Sequence, residues 1–434
     1  MKLSRLRQFK PVVAVLIAFF CQGALAQIKW ETLLEGDFSI TIDQQFVLNS
    51  DTGGRQKNQT TIQPRFDFAL SDSIELTAIG RARFDTETKL GFDGSNEHVD
   101  LELRELYLDA EWGGAYWRLG KQQIVWGQAD GLRVLDVINP LELREFVLPE
   151  FEDRRIPLWT ANVEVPLGEV WTAQFLLIPD QTYDELAEFG GSFEIRSPLL
   201  VPTPSADVPV SVLQLDKPKR LIKDADTGAR FSAFIGGWDV SLNYLYHYQD
   251  QPVLYQFLDD SAAVIAPTYE RTHLFGGSVS NVFGDITFRA ELGYSTDRYF
   301  LSNDPADVGG IERSGEYSYV VGFDYQGWRD WFVSTQLFQS VVSRDSPGMI
   351  REEIETSATF LLRRNFLNDS LLAEALLIQS MDRDDGVLQL SLEYEWSTNI
   401  QITFASDSFF GSSAGLFGQF DDKDRVSVGI EFSY

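Results

Sequence analysis

The chain closes on VSVGIEFSY (426–434), and that stretch decides how the rest is read. Val426, Val428, Ile430, Phe432 and Tyr434 fall on one side of an extended backbone. Ser427, Gly429, Glu431 and Ser433 fall on the other. A period of two marks a strand whose faces meet different surroundings. The same pattern recurs upstream. Leu388, Leu390, Leu392, Tyr394 and Trp396 oppose Gln389, Ser391, Glu393 and Glu395. Trp238, Val240, Leu242, Tyr244, Tyr246 and Tyr248 oppose Asp239, Ser241, Asn243 and His247. Ile74, Leu76, Ala78, Ala82 and Phe84 oppose Glu75, Thr77, Arg81 and Arg83.

Alternation suits a soluble sandwich or a membrane barrel. Trp and Tyr gather at the strand ends, as interfacial girdles do. The terminal aromatic Tyr434 resembles the signal read by the barrel-assembly machinery of outer membranes. With 434 residues, 44% apolar and 13% aromatic, the chain is too hydrophobic for disorder. Its 36 Lys and Arg face 65 Asp and Glu, a net charge of −29. Nucleic acid is therefore not an expected partner, because phosphate binding needs a basic surface. The mean hydropathy of −0.15 excludes a bundle of membrane helices but not a barrel, in which alternate residues face lipid.

The expectation is an all-β, transmembrane antiparallel β-barrel of about 18 strands, with 16 as the alternative. The spans are 37–48, 57–70, 73–86, 98–112, 115–126, 155–165, 168–178, 227–236, 238–249, 269–282, 285–298, 315–325, 329–341, 352–364, 369–381, 386–396, 398–408 and 423–434. Short turns alternate with long loops, as periplasmic turns alternate with extracellular loops. The apolar parity changes between Leu103 and Leu106, which places a β-bulge at Arg104-Glu105.

Residues 1–26 read as a signal peptide. Lys2, Arg5, Arg7 and Lys10 precede an apolar run from Val12 to Phe20, and Ala24-Leu25-Ala26 offers cleavage after Ala26. The single cysteine, Cys21, would leave with it. Residues 27–434 form the barrel, reached by secretion to the periplasm of a Gram-negative cell. The expected surroundings are outer-membrane lipid and lipopolysaccharide.

Two loops stand out. Residues 127–154 carry an apolar run, Val134, Leu135, Val137 and Ile138, stopped by Asn139-Pro140. A helical turn or two is expected within Leu141 to Phe146. So apolar a loop should fold into the lumen as a constriction, or cap it. Residues 179–226 form a Pro-rich long extracellular loop that packs over the rim or shields an apolar ligand.

Inward positions carry both signs: Arg65, Arg81, Arg83, Arg118, Arg230, Arg289 and Arg363 against Asp67, Asp85, Asp239, Glu291, Asp324, Glu355, Glu393 and Glu431. Charges on membrane strands need water or a partner. They imply a charged pore or ion pairs that brace the wall. Arg133, Asp136, Arg144, Arg154 and Arg155 are the constriction candidates on the loop, with Arg81, Arg83 and Arg118 opposite. Acidic runs at Asp382–Asp385 and Asp421–Asp424 suit hairpin tips, with surface Ca²⁺ as a lesser alternative and no other cofactor or metal expected. Only His98, His247 and His273 offer imidazole bases, so an enzyme such as an esterase or phospholipase is not the expectation.

The stretch LRELYLDAEWGGAYWRLGKQQIVWGQADGLRVLDVINPLELREF (103–146) carries a resemblance. Leu103 to Tyr107, Gly120-Lys121-Gln122, Trp126-Gly127-Gln128 and Asp136 to Pro140, ending in Asn139-Pro140, resemble the signature of proteobacterial outer-membrane barrels of unknown function. Lys121 and Gln128 stand where that signature more often has Arg and Glu. The resemblance implies an outer-membrane transport barrel whose relatives associate with an RND-type transporter and a periplasmic lipid carrier, and hence lipid-like cargo. The residues themselves imply a porin for small polar solutes. A non-conducting surface receptor or structural barrel is the third reading.

Overall fold

The computed structural model describes residues 36–88, 90, 98–203, 208–259, 262–344 and 347–434; the leader, with Cys21 and Ala26, lies outside them. Eighteen strands form one closed antiparallel barrel. In chain order they are β1 (Asp37–Asn49), β2 (Arg55–Ser71), β3 (Ile74–Asp85), β4 (Val99–Trp112), β5 (Ala115–Gln122) and β6 (Leu158–Leu167). Then come β7 (Trp171–Ile178), β8 (Asp226–Ile235), β9 (Trp238–Tyr248), β10 (Arg271–Phe283), β11 (Ile286–Leu301) and β12 (Ile311–Tyr325). The last six are β13 (Trp331–Val342), β14 (Ile354–Phe366), β15 (Leu371–Ser380), β16 (Asp385–Ser397), β17 (Ile400–Phe410) and β18 (Arg425–Ser433). Each strand pairs with its sequence neighbours, and β18 closes on β1 from Thr41↔Ser433 to Asn49↔Arg425. Tyr434 and Ile40 exchange two further backbone hydrogen bonds, 2.9 and 3.0 Å.

The alternation is realised as expected. Val426, Val428, Ile430 and Phe432 are exposed on the outer wall. Ser427 and Glu431 line the interior. Trp112, Trp171, Trp328 and Trp396 are exposed at the short-turn end, where Trp112 also meets Trp117. They form one aromatic girdle. The bulge falls where the parity changed: Ile79 pairs with Glu105 and Gly80 with Leu103, so Arg104 is the extra residue. The extra residue returns Leu103 and Leu101 to the outer face and leaves Arg104 buried.

Three local expectations needed correction. The gap at 250–268 holds a hairpin, Val253–Asp259 with Ala262–Thr268, and Val210–Val212 of the Pro-rich loop adds to it in parallel. Leu141 to Phe146 is not helical. Its Glu142–Leu143 pairs with Glu185–Leu186, and the helical turn lies later, at Phe151–Arg154. Strand β5 stops at Gln122, not at 126, because the chain turns into the lumen there.

Gly120 shows how tightly this turning point is made. Its φ of +140° is a conformation that side-chain-bearing residues avoid, and a Cβ would sit 2.6 Å from Tyr107 Cα on β4. Gly120→Ala should impair β4–β5 pairing. The fraction of heat-modifiable, folded barrel on semi-native gels should fall well below wild type, whereas Gly54→Ala should fold normally.

Candidate functional site

Residues 123–156 enter the lumen and cross it. The inner wall from β6 to β13 is not uniformly polar: Leu158, Leu176, Ile178, Leu245, Leu274, Val320 and Phe338 point inward. Ile124, Trp126, Val134, Leu135 and Ile138 of the loop cover them, forming a buried apolar core inside the barrel. Across the lumen Phe146 packs on Phe409, Phe417 and Phe420, with ring centroids 6.4, 5.7 and 4.9 Å away. Leu148 joins Ile378 and Val387 in that second cluster.

A few polar side chains fix the fold of the loop. Asn139 is fully buried and staples both limbs. Its Oδ1 accepts from Ile124 N at 2.8 Å, and its Nδ2 donates to Ile156 O at 2.8 Å. Ile156 N donates to Pro140 O at 2.8 Å. Trp126 Nε1 donates to Gln174 Oε1 at 2.8 Å. Gln122 Nε2 donates to Arg118 O at 3.0 Å and Thr160 O at 3.2 Å. Gly127 lies against the Asp136 backbone, where a Cβ would approach Asp136 N to 2.9 Å. Arg104, the bulge residue, donates to Glu152 O at 2.6 Å and Asp153 O at 3.2 Å, holding the helical turn.

Ion pairs tie the loop to the wall. Asp130 meets Arg289 of β11 at 2.6 Å, and Asp130 N donates to Gln336 Oε1 of β13 at 3.1 Å. Glu142 receives Arg83 at 2.6 Å and Arg81 at 3.2 Å from β3, and also pairs with Arg144. Glu145 receives Lys57 of β2 and Arg425 of β18, both at 2.5 Å. Burial alone would raise the pKa of Glu142, but Arg83, Arg144 and Arg81 hold it well below the usual glutamate range. Burial opposes ionisation of Glu145 too, yet Lys57 and Arg425 bring it down to about 2.

Between the returning limb of the loop and the wall of β1–β3 and β14–β18 lies a cavity of about 640 Å³. Eleven carboxylates and seven cations line it. Of the constriction candidates, Arg81, Arg83, Arg144 and Arg154 face this cavity. Arg133, Asp136, Arg155 and Arg118 do not. Arg155 pairs with Asp136 at 2.7 Å inside the loop, and Arg133 donates to the Asp136 and Asn139 carbonyls at 3.2 Å. Arg118 pairs with Asp109 at 2.7 Å on the neighbouring strand. The tethering residues Glu142, Glu145, Lys57 and Arg425 lie outside the constriction candidates, and Arg104, expected only as part of the bulge, is a fifth. The inward parity of Lys57 and Arg425 was their available signal.

The other candidate chemistries find bland roles. Asp385 accepts from Phe417 N and Gly418 N, and Asp424 from Ser408 Oγ and Phe409 N, so these acids pin a rim loop. Among the described residues no group of three or more His, Cys, Asp or Glu is placed to hold a metal ion. Ser241 bonds Asn243 and Ser278, and His273 bonds Tyr244 on the outer wall. A G-x-S-x-G spacing at Gly411–Gly415 has Ser413 at its centre, exposed on a rim loop after β17, and the neighbouring Ser412 Oγ accepts from Ala414 N.

A family model described as a protein of unknown function, DUF1302, matches residues 37–313. The chain belongs to this family. The matched part of this DUF1302 member includes the whole lumen-crossing loop and its Asn139 staple. Among solved structures it is similar to Acinetobacter baumannii OccAB2, with TM-score 0.55, 9% identity, and 94% of this chain and 99% of that one covered. Pseudomonas aeruginosa OccK2 (OpdF), in complex with glucuronate, gives TM-score 0.53 at 11% identity, covering 93% and 98%. Pseudomonas aeruginosa OpdK with vanillate gives 0.51 at 11%, covering 93% and 99%. These are outer-membrane porins, and the likeness establishes a porin-like barrel fold of the kind typical of Gram-negative outer membranes. No curated protein matches the chain.

Asn139→Ala removes acceptor and donor from two buried backbone groups, a loss of about 2–4 kcal/mol. The loop should become cleavable by added protease while the strands stay protected. Because the folded pKa values of Glu142 and Glu145 are depressed, the tether is fully present above the ordinary glutamate pKa. It is lost only as pH falls through the lower folded value, about 2 for Glu145. Protease resistance of the loop should therefore persist from pH 7 to pH 4, and Glu145→Gln should weaken it already at pH 7.

Proposed function

We propose that the barrel is a passive outer-membrane channel for small polar solutes, with a preference for cations. The carrying observation is the cavity beside the loop, where eleven carboxylates outnumber seven cations. Most inward arginines are spent on carboxylates, so they do not set up the positive field that their number in the sequence suggested. An excess of fixed negative charge at a constriction concentrates cations and repels anions. The OccK2 and OpdK structures hold small polar organic acids, glucuronate and vanillate, which supports a solute of that size.

The chain reaches the outer membrane, on this reading, through a cleaved leader and the barrel-assembly machinery. A second reading makes the barrel the outer-membrane part of a hydrophobic-molecule system working with an RND-type transporter and a periplasmic lipid carrier. Exposed Phe189, Val212 and Ile222 on the rim loops favour it. Against it, the apolar inward positions of β6–β13 are already covered by the loop.

Purified barrel in planar bilayers should conduct, and a KCl gradient should give a reversal potential of cation-selective sign. Glu150→Gln with Asp153→Asn should move that potential toward anions. Negligible conductance from a folded, heat-modifiable barrel would instead mark a closed receptor or structural barrel.

A further inference from the structure

Arg154 ends the helical turn Phe151–Arg154 and is one of the seven cations on the cavity. The other six are answered by carboxylates. Lys57 and Arg425 end on Glu145; Arg81, Arg83 and Arg144 end on Glu142; Arg363 ends on Glu374. Arg154 is different. Among the described residues no carboxylate oxygen lies within 4.0 Å of its guanidinium. The residue is 5% exposed, and its Nε is buried without an acceptor. Phe151 supports the guanidinium from one side, 4.2 Å from the ring centroid. Burial, and then repulsion from Arg133 and Arg155, lower its pKa to about 9, which leaves it cationic at neutral pH. A buried guanidinium without acceptors is costly, and such sites are where a ligand supplies them.

The same cavity carries carboxylates that have no cation within 4.0 Å among the described residues: Asp43, Glu150, Asp153, Glu393 and Glu431. Glu150 and Asp153 flank the turn that holds Arg154. Asp43 and Glu431 pair across the closing seam of β1 and β18. One unanswered cation and a bank of unanswered acids therefore share one cavity.

We propose that this cavity binds a small zwitterion, a solute of the amino-acid or betaine class. Its carboxylate bonds Arg154, and its cationic end lies among Asp43, Glu150, Asp153 and Glu431. A simple anion satisfies Arg154 but adds charge to a cavity already rich in carboxylates. A simple cation leaves Arg154 unanswered. A zwitterion does both without adding net charge. The proposal deepens the channel reading and rests on it for its physiological meaning.

The test uses the full barrel in detergent and 6-aminohexanoate as probe, with hexanoate and hexylamine as single-charge controls. Calorimetric titration should show saturable binding of the zwitterion and at least about tenfold weaker binding of each control, the scale of one charge-assisted hydrogen-bonded pair. Arg154→Gln should weaken the zwitterion about tenfold and leave hexylamine within about twofold, with Arg154→Lys recovering part of the loss. Asp43→Asn with Glu431→Gln should weaken the zwitterion and not hexanoate, which guards against a variant that merely misfolds. Equal affinity in wild type and Arg154→Gln, or hexanoate binding as tightly as the zwitterion, overturns the proposal. Calorimetry does not need conduction. Binding without any KCl current upholds the site and removes the channel reading; current without binding removes the site.

Discussion

A strand in hydrocarbon has no water to satisfy its N–H and C=O groups, and every other feature of this protein follows from that constraint. The sheet has to close. It does so through the pairing of β1 with β18, carried to the last residue by the bonds between Ile40 and Tyr434. Closure fixes which side chains face lipid and which face the lumen, because the strand period is two. The bulge at Arg104 is the exception that keeps the rule, since the extra residue restores the lipid-facing parity of β4.

Closure then creates a second problem. Eighteen strands enclose more space than their inward side chains fill. In this chain the inner wall from β6 to β13 carries seven apolar side chains, and apolar surface left in water is costly. The loop from β5 to β6 solves both problems by laying Trp126, Leu135 and Ile138 on that wall. Its buried backbone groups must then be paired, which Asn139 accomplishes for both limbs at once. The acidic returning limb finds Arg81, Arg83, Lys57 and Arg425 on the opposite wall. What is left is a polar cavity beside the loop, and its charge belongs to the loop as well as to the strands.

Much of this was legible in the sequence. The 18 strands, their turns and the Arg104 bulge follow from local parity, which needs no knowledge of distant partners. The apolar content of the 127–154 loop marked it as one that folds into the lumen or caps it, without deciding between the two. Its anchoring was not legible. Leu245 sits on the polar parity of β9, between Asn243 and His247, and an apolar residue there is the sign that something covers the lumen face. The partners of Glu142 and Glu145 come from strands up to 280 residues away, so spacing along the chain carries no trace of them. The helical turn lay five residues beyond the stretch expected to hold it because Glu142–Leu143 found a partner in Glu185–Leu186. The hairpin between β9 and β10 is an addition within one of the expected long loops, and its short strands do not betray themselves by alternation.

The central claim is that the loop lies inside the barrel against the β6–β13 wall. It is tested most directly by linking Leu135 to Gly276 of β10, where a Cβ on residue 276 would be 3.6 Å from Leu135 Cγ. The chain's single cysteine, Cys21, is replaced by serine, and Leu135→Cys and Gly276→Cys are introduced together. Mild oxidation of intact outer membranes should form the disulfide nearly completely, seen as faster migration of the unreduced protein. Two free thiols, with residue 135 labelled by an impermeant maleimide added to whole cells, would place the loop outside the lumen and contradict the account.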